Sequence, residues 1–165
     1  MEGIRVVDIT TALSGPFCTW LLGSLGADII KVEPPQGDSA RAAPPFCSDT
    51  SLYFAPVNRN KRSIILDLKT EEGKEALHRL IKSADVLVEN MRPGVRDRLG
   101  FSDQDLNLIN PRLIVAHISG FGQSGPLSHE PAYDIVVQAM SGVMSINGPM
   151  GGPPTRVGFS AGDIV

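Results

Sequence analysis

The sequence predicts an α/β fold, a Rossmann-like and mostly parallel sheet with flanking helices, and three observations carry that prediction. Short β-branched apolar runs recur along the chain. Stretches with helical spacing alternate with them. A strand, a helix and a second strand also follow one another within residues 4–33, the pattern of a βαβ unit.

In chain order, residues 4–9 (Ile-Arg-Val-Val-Asp-Ile) form the first strand, and small, turn-forming residues fill Thr10 to Gly15. Pro16 stands where proline is tolerated, in the first turn of a helix running through Trp20, Leu21 and Leu22 to about Leu25. Gly26 ends that helix, and residues 28–33 form the second strand. The unit implies a parallel pair joined by a right-handed crossover. From Pro34 to Asn60 the composition turns to Pro, Gly, Asp, Ser and Ala, a long irregular excursion of the kind that often carries function. A third strand is expected over 63–68. Thr70 then serves as the N-cap of a helix, with Glu71 and Glu72 complementing its dipole and Ala76, Leu77, Leu80, Ile81 and Ala84 forming its apolar face. Residues 85–90 give the fourth strand, Pro93-Gly94 a turn, 103–109 a short helix, 113–118 the fifth strand and 133–145 a helical pattern.

With 165 residues, 42% of them hydrophobic, there is enough chain for one domain with a sizeable core. A net charge of −3 with interspersed signs argues against nucleic acid as a partner but leaves room for a local basic patch. Cys18 and Cys47 show neither a CxxC pair nor zinc spacing, and read as free, buried thiols of a reducing compartment. There is no charged leader and no apolar run long enough to span a membrane, so a cytoplasmic protein is expected. Residues 162–165 stop where an element begins, so the chain is expected to be the front part of a longer protein.

Gly120-Phe121-Gly122-Gln123-Ser124-Gly125 matches GxGxxG, yet Pro126 and Pro131 separate it from the next helix and it follows the last strand. A dinucleotide fingerprint needs a helix opening on its glycines, so a glycine-rich loop is the better reading. His78, His117 and His129 have no partner at ligand or triad spacing and read as satisfied or solvated. No GxSxG is present. Arg59, Lys61 and Arg62 lie at a strand start, away from the ligand-binding edge of such sheets, and read as a solvated cluster. The polar groups just past strand ends converge instead. Thr10 to Ser14, Lys69, Asn90 to Arg92 with Arg98, and Gly120 to Gly125 meet at one crevice, whose Lys69, Arg92 and Arg98 would suit a phosphate-bearing ligand.

These segments together resemble the class III (CaiB/BaiF-type) CoA-transferases, a family that includes formyl-CoA transferase, carnitine CoA-transferases and α-methylacyl-CoA racemase. The resemblance runs through residues 3–8, Ser14-Gly15-Pro16, 25–35 with Gly37-Asp38 and Arg41, and 58–63. It continues through Glu89 to Gly94, 110–114, 119–126, Tyr133-Asp134, Ser141-Gly142, 152–154, Gly158 and Gly162-Asp163.

The resemblance implies that residues 1–165 are the N-terminal part of a large CoA-binding domain, in a fold whose dimers interlock like links. Asp163 matches the family's catalytic carboxylate. It would attack the thioester of an acyl-CoA to give an acyl-aspartyl anhydride and CoA thiolate, for transfer to a small carboxylic acid. Without the resemblance, Asp163 reads as a helix N-cap. Ala12, Leu13, Leu66, Lys69, Asn90, Met91, Arg92, Arg98 and Tyr133 match CoA-site positions. Pro34 replaces the arginine that follows the second-strand glutamate in formyl-CoA transferase. CoA thioester is expected as substrate, with no tightly bound cofactor and no metal. The racemase branch carries histidine where this chain has Tyr133, and a phenol of pKa near 10 is a poor proton shuttle. Transferase chemistry is therefore favoured over racemisation; a non-catalytic CoA-binding or structural fragment is the remaining alternative.

Overall fold

A computed structural model describes residues 1–164. They form two compact units, one of residues Met1–Ile118 and one from Ser119 onward.

The first unit is an open five-stranded parallel sheet. Strand β1 (Arg5–Asp8) leads through α1 (Ser14–Ser24) to β2 (Asp28–Glu33). The stretch expected to be irregular has short elements of its own: a 3₁₀ turn at Ser39–Ala42, a hairpin of β3 (Phe46–Cys47) and β4 (Thr50–Ser51), and α2 (Ala55–Asn58). Proline and glycine masked these elements because each is four residues or shorter. Next come β5 (Lys61–Ile65), α3 (Glu71–Lys82), β6 (Val86–Glu89), α4 (Val95–Arg98), α5 (Asp103–Ile109) and β7 (Ile114–His117). The third sheet strand thus begins at Lys61 rather than Ser63, because pairing with Ile29 to Glu33 fixes its register.

The strand order is β5-β2-β1-β6-β7. Chain order therefore reverses between β1 and β6, the topological switch point at which open α/β sheets bind ligands beyond their carboxyl ends. One face packs Val7, Ile9, Val32 and Leu87 against Leu77 and Ile81 of α3 and Leu106 of α5. On the other face, Val6, Ile29 and Val88 meet Leu22 of α1. Helix α3 starts as its sequence dictates: Thr70 accepts a hydrogen bond from Gly73 N, and Glu71 and Glu72 occupy the first turn.

In the second unit, α6 (Asp134–Met140), a 3₁₀ turn at Val143–Ser145 and α7 (Ala161–Ile164) are the helical elements. The glycine-rich segment at 120–125 opens no helix before Asp134, as its prolines indicate.

Candidate functional site

The expected CoA-contacting positions of the first unit share the carboxyl edge of its parallel strands. Ala12 and Leu13 follow β1, Leu66 and Lys69 follow β5, and Asn90, Met91 and Arg92 follow β6. Lys69, Arg92 and Arg98 are exposed, and Arg98 closes α4. Leu66 and Met91 instead pack partly against the core. Asn90 is joined directly to the β1 loop: its side chain accepts from Thr11 N at 2.9 Å and donates to Thr11 O at 2.8 Å.

Beneath this edge lies a charged network that the sequence reading did not assign. Asp8 is fully buried and accepts from Thr10 Oγ1 at 2.5 Å and Thr19 Oγ1 at 2.6 Å. Lys61 Nζ reaches the same carboxylate at 2.9 Å and also donates to Pro16 O and Asn58 Oδ1. Of the basic cluster expected to be solvated, Lys61 is thus buried in an ion pair, Arg59 lies over the Trp20 ring, and Arg62 pairs with Asp28 at the surface. Burial, more than any other effect, pulls the Lys61 pKa down. Lys31 and Asp38 form a second buried pair at 2.9 Å. Glu33 accepts both Arg41 Nε and Nη2 at 2.7 Å, Ser63 Oγ at 2.6 Å and Asp38 N at 3.0 Å. The Arg41 fork, opposed by burial and aided by Ser63, brings the Glu33 pKa to about 2. Charges inside strands that otherwise read as apolar were the available signal.

His117 is satisfied, as expected, but by a residue distant in sequence. Its Nδ1 lies 2.6 Å from Glu89 Oε1, and Glu89 also accepts from Met91 N at 2.6 Å. A cavity of about 320 Å³ lies beside it, lined by Asp103, Leu106, Asn107, Leu113 and Val115. Cys18 is partly buried, whereas Cys47 is exposed on the hairpin instead of buried, because β3 turns its side chains to solvent. Among the described residues no group of three or more His, Cys, Asp and Glu could hold a metal, and no helix is long and apolar enough to cross a membrane.

Asp163 and Tyr133 belong to the second unit. Tyr133 is 70% exposed and precedes α6 as its N-cap residue. Asp163 is the third residue of α7, not its N-cap: the helix already begins at Ala161. The segment leading to it is gripped by α6. Asp134 accepts from Gly162 N at 2.9 Å, from Gln138 Nε2 and from Arg156 Nη2 at 3.1 Å. Gln138, 1% exposed, also donates to Phe159 O and accepts from Val157 N. Gly162 is required there, since a Cβ would come within 2.9 Å of Val137 Cγ1. Burial raises the Asp163 pKa, and the neighbouring Asp134 charge raises it further. Asp134 itself is held below its ordinary value: burial pushes it up, but Gln138, Gly162 and Arg156 outweigh that. Asp163 is thus a half-buried carboxylate beside a second one, Asp134, whose partners favour its ionised form.

Known proteins are similar to this chain along its whole length. The model of CoA-transferase family III matches residues 1–165. Acetyl-CoA:oxalate CoA-transferase of Acetobacter aceti is 56% identical over 158 residues, covering 95% of this chain and 41% of the relative. Succinyl-CoA:glutarate CoA-transferase of Mus musculus is 45% identical, covering 99% of this chain and 38% of the relative. A crystal structure of a CaiB/BaiF family protein from Brucella suis superposes with a TM-score of 0.95 at 40% identity, covering 99% of this chain and 44% of that one. The chain therefore spans roughly two-fifths of the length of these relatives. It belongs to CoA-transferase family III.

Proposed function

We propose that the protein containing this chain transfers CoA from an acyl-CoA to a small carboxylic acid, with Asp163 as the nucleophile. The observation that carries the proposal is the unbroken family match over residues 1–165, which includes Asp163. The acceptor is read as a small dicarboxylate, since relatives are named for oxalate, glutarate and mesaconate. Ala12, Leu13, Leu66, Lys69, Asn90 to Arg92, Arg98 and Tyr133 are proposed to serve the CoA moiety. The complete enzyme is further proposed to be cytoplasmic and an interlocked homodimer, with no resident cofactor or metal.

The chemistry follows from the electrostatics of Asp163. Its ionised oxygen attacks the thioester carbonyl, the C–S bond breaks, and CoA leaves as thiolate. The product is a mixed anhydride in which Asp163 no longer carries a charge. Burial and the Asp134 charge, which disfavour the ionised carboxylate, therefore favour this neutral adduct. The thiolate then attacks the aspartyl carbonyl of the anhydride, releasing the donor acid as a carboxylate and leaving an aspartyl-CoA thioester. The acceptor carboxylate attacks that thioester, expelling thiolate and forming a new anhydride. Attack of the thiolate on the acceptor carbonyl frees Asp163 and delivers the product acyl-CoA. No water or electron pair is consumed, so the thioester free energy is conserved.

Hydroxylamine added to the complete enzyme during incubation with an acyl-CoA donor should trap the activated Asp163 as a hydroxamate, identified by mass. Asp163→Ala should abolish both the adduct and CoA transfer. Normal transfer by Asp163→Ala would refute the assignment.

A further inference from the structure

Side chains hold five successive backbone polar groups of the loop that follows β1, from Thr10 N to Ala12 N, and the loop lies at the switch point of the sheet. Thr10 N donates to Asp8 Oδ1 at 2.9 Å, while Thr10 O accepts from Lys31 Nζ at 2.8 Å. Asn90, at the end of β6, takes both the N–H and the C=O of Thr11. Ala12 N donates to Asp38 Oδ1 at 3.2 Å, and Asp38 Oδ2 lies 2.9 Å from Lys31 Nζ. Lys31 and Asp38 each expose about 1% of their side chains, so water competes little for these contacts.

This degree of fastening has a reason in the backbone. Ala12 adopts φ +66°, in the left-handed region that residues with a Cβ avoid. The far end of the loop is fixed as well, because the first turn of α1 descends onto Thr10 at Gly15. A Cβ on Gly15 would stand 2.4 Å from Thr10 Cβ. Side chains from the ends of β2 and β6, and from the loop beyond β2, thus converge on three successive residues that would otherwise relax.

The geometry points to Asn90, Lys31 and Asp38 as positioning residues for acyl-CoA: they hold Thr10 to Ala12, with Ala12 in its left-handed conformation, at the crevice between β1 and β6, and so fix where Leu13 begins. The inference rests on the CoA-transferase reading given above, and it changes what Asn90 does. Its oxygen and its nitrogen both serve Thr11, so Asn90 acts on the ligand through the loop. Binding to a preformed loop avoids the ordering cost that a relaxed loop would impose on the acyl-CoA. Loss of the clasp therefore weakens binding while leaving the chemical step in place.

The test compares wild type, Asn90→Ala, Asp38→Asn and the double variant Ala12→Gly/Asn90→Ala in the complete enzyme. Asn90 is only partly buried, so its variant remains informative even if the Asp38 variant fails to fold. Amide hydrogen exchange at Thr11 and Ala12, measured without ligand, should speed up about tenfold in Asn90→Ala, as expected for loss of one or two hydrogen bonds. The KM for acyl-CoA should rise roughly five- to tenfold while kcat stays within about twofold. Ala12→Gly should restore part of the lost KM, because glycine enters the left-handed region without a Cβ clash. Unchanged exchange at Thr11 and Ala12 would overturn the clasp. Faster exchange with an unchanged KM, or a raised KM that Ala12→Gly leaves untouched, would overturn its positioning role. A wild-type enzyme unable to transfer CoA would sink the parent reading instead, and the exchange result stands apart from that.

Discussion

Replacing Arg41 by Gln should remove stability in a way that depends on pH, and the amount can be worked out from the Glu33 site. Glu33 is 3% exposed at its side chain and accepts the Arg41 fork through both oxygens at 2.7 Å. Its pKa falls from 4.5 to about 2, with the Arg41 hydrogen bonds the largest cause. At 1.36 kcal/mol per pKa unit that fall corresponds to about 3 kcal/mol. Two reductions apply. Arg41 is 49% exposed, so solvent screens the pair, and Ser63 and the Asp38 amide supply part of the depression. About 2 kcal/mol is the share to expect from the guanidinium. The sign follows from a depressed carboxylate pKa. The contribution is complete above pH 4.5 and disappears as the pH drops through 2. Arg41 also stacks 3.9 Å from the Phe54 ring centroid, which adds about 0.5–1 kcal/mol that does not titrate. Urea unfolding of wild type and Arg41→Gln from pH 7 to pH 3 should therefore give a difference that is flat near neutrality and shrinks below pH 4.5, toward the stacking residue alone. A difference that does not vary with pH would refute the assignment of the stability to Glu33.

Two further outcomes concern Asp163. Asp134→Asn removes a negative charge that raises the Asp163 pKa while an amide oxygen remains to accept from Gly162 N. With the ionised Asp163 carboxylate as the proposed nucleophile, the acid limb of the kcat/KM profile should move to lower pH; an unmoved or raised limb would contradict the coupling. Gly162→Ala drives a Cβ to 2.9 Å from Val137 Cγ1 and displaces the backbone of the next residue, so kcat should drop by about 10- to 100-fold with KM for acyl-CoA little changed. Full turnover by Gly162→Ala would show that the grip of α6 on this segment is irrelevant to catalysis.

The parallel sheet was readable because its strands are short apolar runs separated by helices, and β2 was placed to the residue. What could not be read was pairing. The register of β5 depends on β2, and the buried partners lie far apart in sequence, as with Asp8 and Lys61 or Lys31 and Asp38. A basic cluster at a strand start gives no hint that one member turns inward. Asp163 is singled out only by the segments shared with a family, since Gly-Asp before an apolar residue also describes a cap. The clasp on Thr11 was invisible for the same reason as the ion pairs, because a side chain from β6 completes a loop 79 residues away.

Strand periodicity explains where those buried charges sit. Side chains alternate across a sheet, so Val6 and Asp8 share a face, as do Ile29, Lys31 and Glu33. Lys61 pairs with Ile29 and Ser63 with Lys31, which puts both on that face too. This is the face that meets α1, whose Thr19 hydroxyl and Pro16 carbonyl serve Asp8 and Lys61. The opposite face packs Val7, Ile9, Val32 and Leu87 under α3 and α5, and carries the buried Glu89 carboxylate with its His117 partner at the carboxyl edge. Buried charge is therefore present on both faces, with three of its pairs, Asp8–Lys61, Lys31–Asp38 and Glu33–Arg41, on the α1 side. Buried ion pairs add little net stability compared with apolar residues of equal size, but each fixes its partners' geometry. Lys31 and Asp38 show what that geometry secures. Both are desolvated in order to hold one peptide carbonyl and one amide of a three-residue turn. A layer of leucines could hold the sheet together as well, yet it would leave Ala12 free to relax out of its left-handed conformation.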